Sequence, residues 1–235
     1  MASIIDSVQE TFEDNHSILK FILYAIPLFV VTNYTPTQIP GYIIVAIIAQ
    51  LLLFGFMLHC TYNVRIGVQK VLPSFNILEV FVTGLKGLVA LAPICIASYF
   101  LMIFVSGLLL SNIPDETLAK VFIGIIGLIC YSICCTSYLL YAYKFKISDA
   151  YNLKAISTYC IDVLIAIIFM IILLAIFNFL IIAPVTYIIW LFFGIPHPIA
   201  IFYWSVCAVF NAAICGHYLA QISYEIIEVK ENNKR

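Results

Sequence analysis

The stretch "VLPSFNILEVFVTGLKGLVALAPICIA" (Val71–Ala97) begins like a soluble turn and helix and ends like hydrocarbon, with Lys86 on the join. A charge at mid-bilayer costs roughly 2.5–3.5 kcal/mol on insertion scales, so a lysine one turn inside an apolar run needs a reason. The surrounding composition supplies the setting. The chain of 235 residues is 64% hydrophobic and only 10% charged, against ~25% charged for an average soluble domain. Its mean hydropathy is +1.12. These values define an integral membrane protein whose first partner is the lipid bilayer. A net charge of −1 offers no basic face for nucleic acid and no polybasic run for anionic lipid.

A spanning helix needs about 20 mainly apolar residues. Working outward from Lys86, six segments meet or approach that length: 18–34, 42–62, 82–110, 121–143, 160–183 and 199–223. The fold class expected is therefore an all-α, six-span transmembrane helix bundle forming one domain. Residues 1–17 form an amphipathic cytoplasmic helix, and 224–235 a cytoplasmic tail. "VTYIIWLFFGI" (Val185–Ile195), held between Pro184 and Pro196, is too short to cross. It is expected to be an extra interfacial or re-entrant segment with Tyr187 and Trp190 at headgroup level.

With the N-terminus cytoplasmic, the inner side carries Lys20, Arg65, Lys70, Lys86, Lys144, Lys146, Lys154, Lys230, Lys234 and Arg235, and the outer side only Lys120. Ten against one is a strong positive-inside asymmetry, so both termini are expected in the cytoplasm of a cell membrane. The start "MASIIDSVQETFEDNHSILK" is acidic and lacks the basic n-region of a signal peptide, so it is expected to be retained. Within it, Ser3 with Asp6 gives an N-cap signal; Ile4, Ile5, Val8 and Phe12 share a helical face, opposite Asp6, Glu10, Glu13 and Asp14. An acidic helix of this kind is expected to pack beneath the bundle rather than on lipid.

Three weak self-matches point to a repeat. A shift of 66 sets "KFILYAIP" on "KGLVALAP", a shift of 76 sets "FNILEVFVTGLK" on "YNLKAISTYCID", and "CTY" at Cys60 matches "CTSY" at Cys135. Together they suggest three units, each an amphipathic helix followed by a transmembrane hairpin. The second shift places Lys86 on Asp162, each about one turn inside a span. Either they pair, or Lys86 snorkels to the surface and Asp162 lies in the interface.

The remaining intramembrane polar candidates are Gln50, Asn178, Asn211 and His217. Buried amides most often join helices. His217 two places from Cys215, and His59 beside Cys60, lack further ligands at metal-site spacing. The eight cysteines fall in or beside apolar runs and read as small core residues. No GxSxG, HExxH, phosphate-loop or dinucleotide fingerprint occurs. No catalytic residue, metal or cofactor is therefore expected, and a lipid-modifying membrane enzyme ranks third among the readings. The first is a non-enzymatic scaffold or accessory subunit, binding other membrane subunits or itself. The alternative is a small-solute or lipid transporter or channel subunit using Lys86 and Asp162.

The run "NVRIGVQKVLPSFNILEVFVTGLKGLVALAP" (Asn63–Pro93) resembles the prokaryotic membrane family called domain of unknown function 4013. There a span closes in a basic stretch with a glycine, then a Leu-Pro turn, an amphipathic helix and a Gly-Leu-Lys start to the next span. Here the matching residues are Arg65, Gly67, Leu72, Pro73, Gly84, Leu85 and Lys86. The end "NAAICGHYLAQISYEI" (Asn211–Ile226) is similar to the family's close. The resemblance implies six spans and a bacterial or archaeal cell membrane, with no activity attached. This chain departs from it at Ser74, Phe75 and Asn76, where the family places acidic residues and Trp.

Overall fold

A computed structural model describes residues 3–68, 70–194 and 197–228 of the chain. Among them every regular element is helical: α1 (Ile4–Phe12), α2 (Ser17–Asn33), α3 (Tyr42–Arg65), α4 (Ile77–Asn112), α5 (Glu116–Lys144), α6 (Ile147–Ala150), α7 (Leu153–Phe177), α8 (Ala183–Phe193) and α9 (Pro198–Ser223). Single π-turns follow α7 (Asn178–Ile182) and α9 (Tyr224–Glu228). Five helical stretches are long and apolar enough to cross a membrane, and α1 with α2 makes a sixth if that pair, bent by 98°, counts as one. This is the all-α membrane bundle expected from the apolar runs.

Two boundaries differ from the sequence reading. Residues 185–193 are not a separate segment: α7, the π-turn and α8 run on as one stretch, Leu153–Phe193, of 41 residues. At 1.5 Å per residue that is about 62 Å, twice a hydrocarbon core of about 30 Å, so the far end extends beyond the fifth span instead of folding back. Pro184 does not stop the helix because the π-turn absorbs it. The Ala183 N–H reaches back five residues to the Asn178 carbonyl, and the wider turn removes the clash a proline ring makes in regular helix. Gly194, at φ 76°, ends α8. Ile195 and Pro196 of the same segment, and the tail beyond 228, lie outside the described residues. The second difference concerns the three proposed units. In the second and third, amphipathic start and span are one unbroken helix, α4 and α7, whereas in the first a tight turn at 13–16 separates α1 from α2.

The chain divides into two compact units. The first joins Met1–Gly87 to Phe169–Gln221. Its core gathers Phe21, Tyr24 and Ala25 of α2, Leu52, Phe56 and Cys60 of α3, Val71 and Leu72 of the loop, Val80 of α4, and Val209 and Ala213 of α9. Tilted and edge-on rings bind it together: Tyr24 on Phe56 at 4.9 Å, Phe21 on Phe210 at 5.5 Å and Phe12 on Phe210 at 5.3 Å. Such pairs add about 0.5–1.5 kcal/mol each beyond the area they bury. Helices α3 and α4 cross with backbones touching at Gly55 and Gly84, where a methyl on either would strike the other helix's carbonyl oxygen, Val80 or Leu51 respectively. Small residues at that crossing let two apolar helices gain van der Waals contact that lipid cannot supply.

The second unit comprises Leu88–Ile168 and Ile222–Arg235. In it α5 begins at Asp115, whose side chain accepts from the Thr117 and Leu118 amides, and buries a face of small and hydroxyl residues that includes Ala119, Ser132, Thr136 and Ser137. Ser132 donates to the Cys160 carbonyl, and Ser137 to the Ala150 carbonyl at 2.8 Å. Hydroxyl-to-backbone bonds of this kind fasten neighbouring helices where no water competes.

Candidate functional site

The most elaborate polar arrangement in the first unit lies where α1 meets α9. Ser3 caps α1 by accepting from the Asp6 amide, and its own amide donates to Gln221 Oε1 at 2.7 Å. One turn on, Ser7 Oγ lies 2.9 Å from His217 Nδ1 and donates to the Ser3 carbonyl at 2.8 Å. Glu10 Oε2 takes the other side of the imidazole, 2.7 Å from Nε2. Thr11 Oγ1 donates back to the Ser7 carbonyl at 2.6 Å. Because a carboxylate only accepts, Nε2 carries a proton. The Ser7 hydroxyl has one proton for two partners, the Ser3 carbonyl and Nδ1; the Ser3 carbonyl also accepts from the Ser7 amide, 3.1 Å away.

Serine, histidine and glutamate in one line share the residue types of a hydrolase triad, but in composition alone. Ser7 is 0% exposed and His217 1%, so no substrate carbon can approach Oγ as nucleophilic attack requires. What the arrangement does is hold α1 to α9. The face it holds is also not the one expected. Ile4, Ser7 and Thr11 are the buried residues of α1, while Ile5 is 78% exposed and Phe12 half-exposed. The surface beneath offers His217 and Gln221, so hydroxyls satisfied by i−4 back-bonding suit it better than a full apolar stripe.

A buried ion pair closes the turn between α1 and α2. Lys20 Nζ lies 2.6 Å from Asp14 Oδ2 with both side chains nearly inaccessible, and Nζ also sits 5.5 Å over the Phe75 ring. Burial alone would raise the Asp14 carboxyl. The Lys20 hydrogen bond, the His16 amide donating at 3.1 Å, and the charges of Lys20 and Lys70 outweigh it and hold the carboxyl below its ordinary value. Lys20, aligned on Lys86 by the repeat, is thus in a wholly different environment: Lys86 is exposed on α4.

Of the mid-span amides, Asn178 and Asn211 meet. Asn211 Nδ2 donates to Asn178 Oδ1 at 3.0 Å, and Asn178 Nδ2 donates to the Leu174 carbonyl one turn back at 2.8 Å. The rings beside them, Phe177 and Phe210, pack at 5.8 Å. Gln50 is exposed on α3, away from this link. Asp162 is half-buried on α7, in the second unit, whereas Lys86 belongs to the first. Among the described residues no group of three or more His, Cys, Asp or Glu side chains is placed to hold a metal ion. The polar residues Ser7, Glu10 and Thr11 have one signal in the sequence, the i, i+3, i+4 spacing on a helix whose apolar face is short, whereas Asp14 lies in the turn beyond the helix.

These features define a multi-pass α-helical membrane protein in which several polar side chains, among them His217, Gln221, Asn211 and Ser132, bond from one helix to another. No family model, curated protein or solved structure matches the chain.

Proposed function

We propose that the protein is a non-enzymatic scaffold or accessory subunit of a larger membrane assembly. The observation that carries this reading is how its intramembrane polar groups are used: Asn178 bonds Asn211, and His217 bonds Ser7 and Glu10, each contact linking two helices. Large apolar faces remain open for protein or lipid. Only 17% of the apolar windows of α4 and α5, and 11% of that of Leu153–Phe193, is buried, against 39% for α3. Phe100 and Phe104 stand out on α4, each about two-thirds exposed.

The same proposal places both termini in the cytoplasm of a prokaryotic cell membrane. It draws on the ten-to-one cation asymmetry and on the resemblance of Asn63–Pro93 to domain of unknown function 4013, a stretch that here forms the end of α3, the Pro73 turn and the start of α4. Reporter fusions at Asn33 and Asn112 are expected to read as external and one at Asn152 as internal; cytoplasmic activity at Asn112 would reverse the orientation. For the scaffold role, photo-cross-linking residues placed at Phe100 and Phe104 in native membranes are expected to give adducts of one discrete protein mass. Lipid adducts alone at both positions, together with solute flux in vesicles reconstituted from the pure chain, would favour the transporter alternative through Lys86 and Asp162.

A further inference from the structure

The first unit holds a second polar feature that shares only Glu10 with the helix-joining contacts, a cavity of about 520 Å³ between α1 and the end of α3. Glu10 and Glu13 of α1 and its end line it together with Lys70 of the loop after α3, and Val64, Val68 and Val71 with Gly67 complete it. We propose that this cavity binds the headgroup of a phosphoethanolamine lipid, its ammonium on the glutamates and its phosphate on Lys70.

The charge pattern selects the ligand class. Two carboxylates repel a bare phosphate, and the lysine opposes a bare cation; a zwitterion with ammonium and anion a few ångströms apart satisfies both kinds of charge in the lining. Glu13 is exposed, and Glu10, 46% exposed, has only one oxygen engaged by His217. Lys70 is exposed as well, and its charge already acts on Asp14, the neighbour of Glu13. Depth selects the lipid over a free solute. The 24 residues of α3 span about 36 Å, slightly more than a hydrocarbon core of about 30 Å, so residues just past Arg65 lie at headgroup level. The three valines give glycerol and the first methylenes an apolar wall. A primary ammonium can donate three hydrogen bonds to carboxylates and a quaternary one none, so this site separates phosphoethanolamine from phosphocholine.

The test uses the full chain in detergent supplemented with dioleoyl lipids that differ only in headgroup. At a hundredfold over its Kd, the phosphoethanolamine lipid is expected to raise the thermal midpoint by about 5–10 °C, with phosphocholine and phosphoglycerol lipids giving less than a third of that. Glu13→Gln and Lys70→Met should each abolish the increment while leaving the phosphocholine midpoint in place. If either variant folds poorly, N-methylation of the lipid makes the same point on the unaltered chain, the increment falling with each methyl added. Equal shifts for all three headgroups, or an increment that survives both substitutions, overturns the site. Soluble glycerophosphoethanolamine is expected to give no shift; protection equal to the lipid's would assign the cavity to a free solute and overturn the lipid source.

Discussion

Replacing His217 by leucine should release α1 while leaving the rest of the first unit folded. The imidazole makes one bond to a carboxylate and one to Ser7. A hydrogen bond to a charged group is worth about 1.5–3 kcal/mol and a neutral one about 0.5–1.5. Neither partner is left stranded, because Ser7 keeps the Ser3 carbonyl and the half-exposed Glu10 returns to water. Leucine also restores apolar packing at a site that is 1% exposed. The net loss is therefore put at about 2 kcal/mol, or roughly a 30-fold rise in local opening. Amide hydrogen exchange in detergent is the assay, since a nine-residue helix joined by a turn opens as a local unit. Residues 4–12 should exchange about 30-fold faster, with the amides of α5 unchanged. Glu10→Gln, which keeps an acceptor oxygen but removes its charge, should give a smaller rise. Unchanged exchange over 4–12, or a uniform rise along the whole chain, would refute the docking of α1 by His217.

Three further outcomes follow from the geometry. Gly55→Ala and Gly84→Ala each place a methyl against a backbone carbonyl and should cost about 1–3 kcal/mol, whereas Gly107→Ala in α4 meets nothing and should be neutral or gain up to about 1 kcal/mol of helix stability; parallel thermal melts of the three variants separate the cases. Asn178→Leu or Asn211→Leu alone strands one amide, so the double variant should melt closer to the parent than either single one, since a membrane amide link is itself worth only about 0.6 kcal/mol; simple addition of the two losses would deny the bond. Asp14 has a folded pKa below the ordinary 3.8, so its contribution is complete at neutral pH, begins to fade as pH falls to that value, and is lost as pH falls through the lower folded pKa. Asp14→Asn should therefore flatten the stability profile below about pH 4 while lowering the plateau above it, as thermal melts across that range would show.

How much of the molecule is legible in the sequence depends on whether a feature is local. The runs around Gln50, Lys86 and Asn178 announce spans because twenty apolar residues have few soluble uses. Ser3 as the cap of α1 is equally plain, since capping is decided within four residues. The buried face of α1 is not legible in this way, because an amphipathic pattern assumes an apolar docking surface, and the residues that α9 presents, His217 and Gln221, lie more than 200 positions away. Asn178 and Asn211 stand out only singly; their bond depends on the register of two long helices, which no local pattern encodes. Pro184 reads as a helix stop because proline normally removes a bond and adds a clash, and the five-residue π-turn ahead of it relieves the clash.

The use of the mid-span amides to join helices rather than to line a water path is tested most directly by substituted-cysteine accessibility. With the eight native cysteines replaced, Asn178→Cys and Asn211→Cys would be exposed in intact vesicles to a membrane-impermeant thiosulfonate from each side, beside loop controls Thr35→Cys and Ser148→Cys. The expected result is complete modification of a loop control on its own side and no modification of positions 178 and 211 from either. Modification of both amide positions at rates within about tenfold of the loop controls, a gap of only about 1.4 kcal/mol in access, would put water at the centre of the bundle and contradict the scaffold reading.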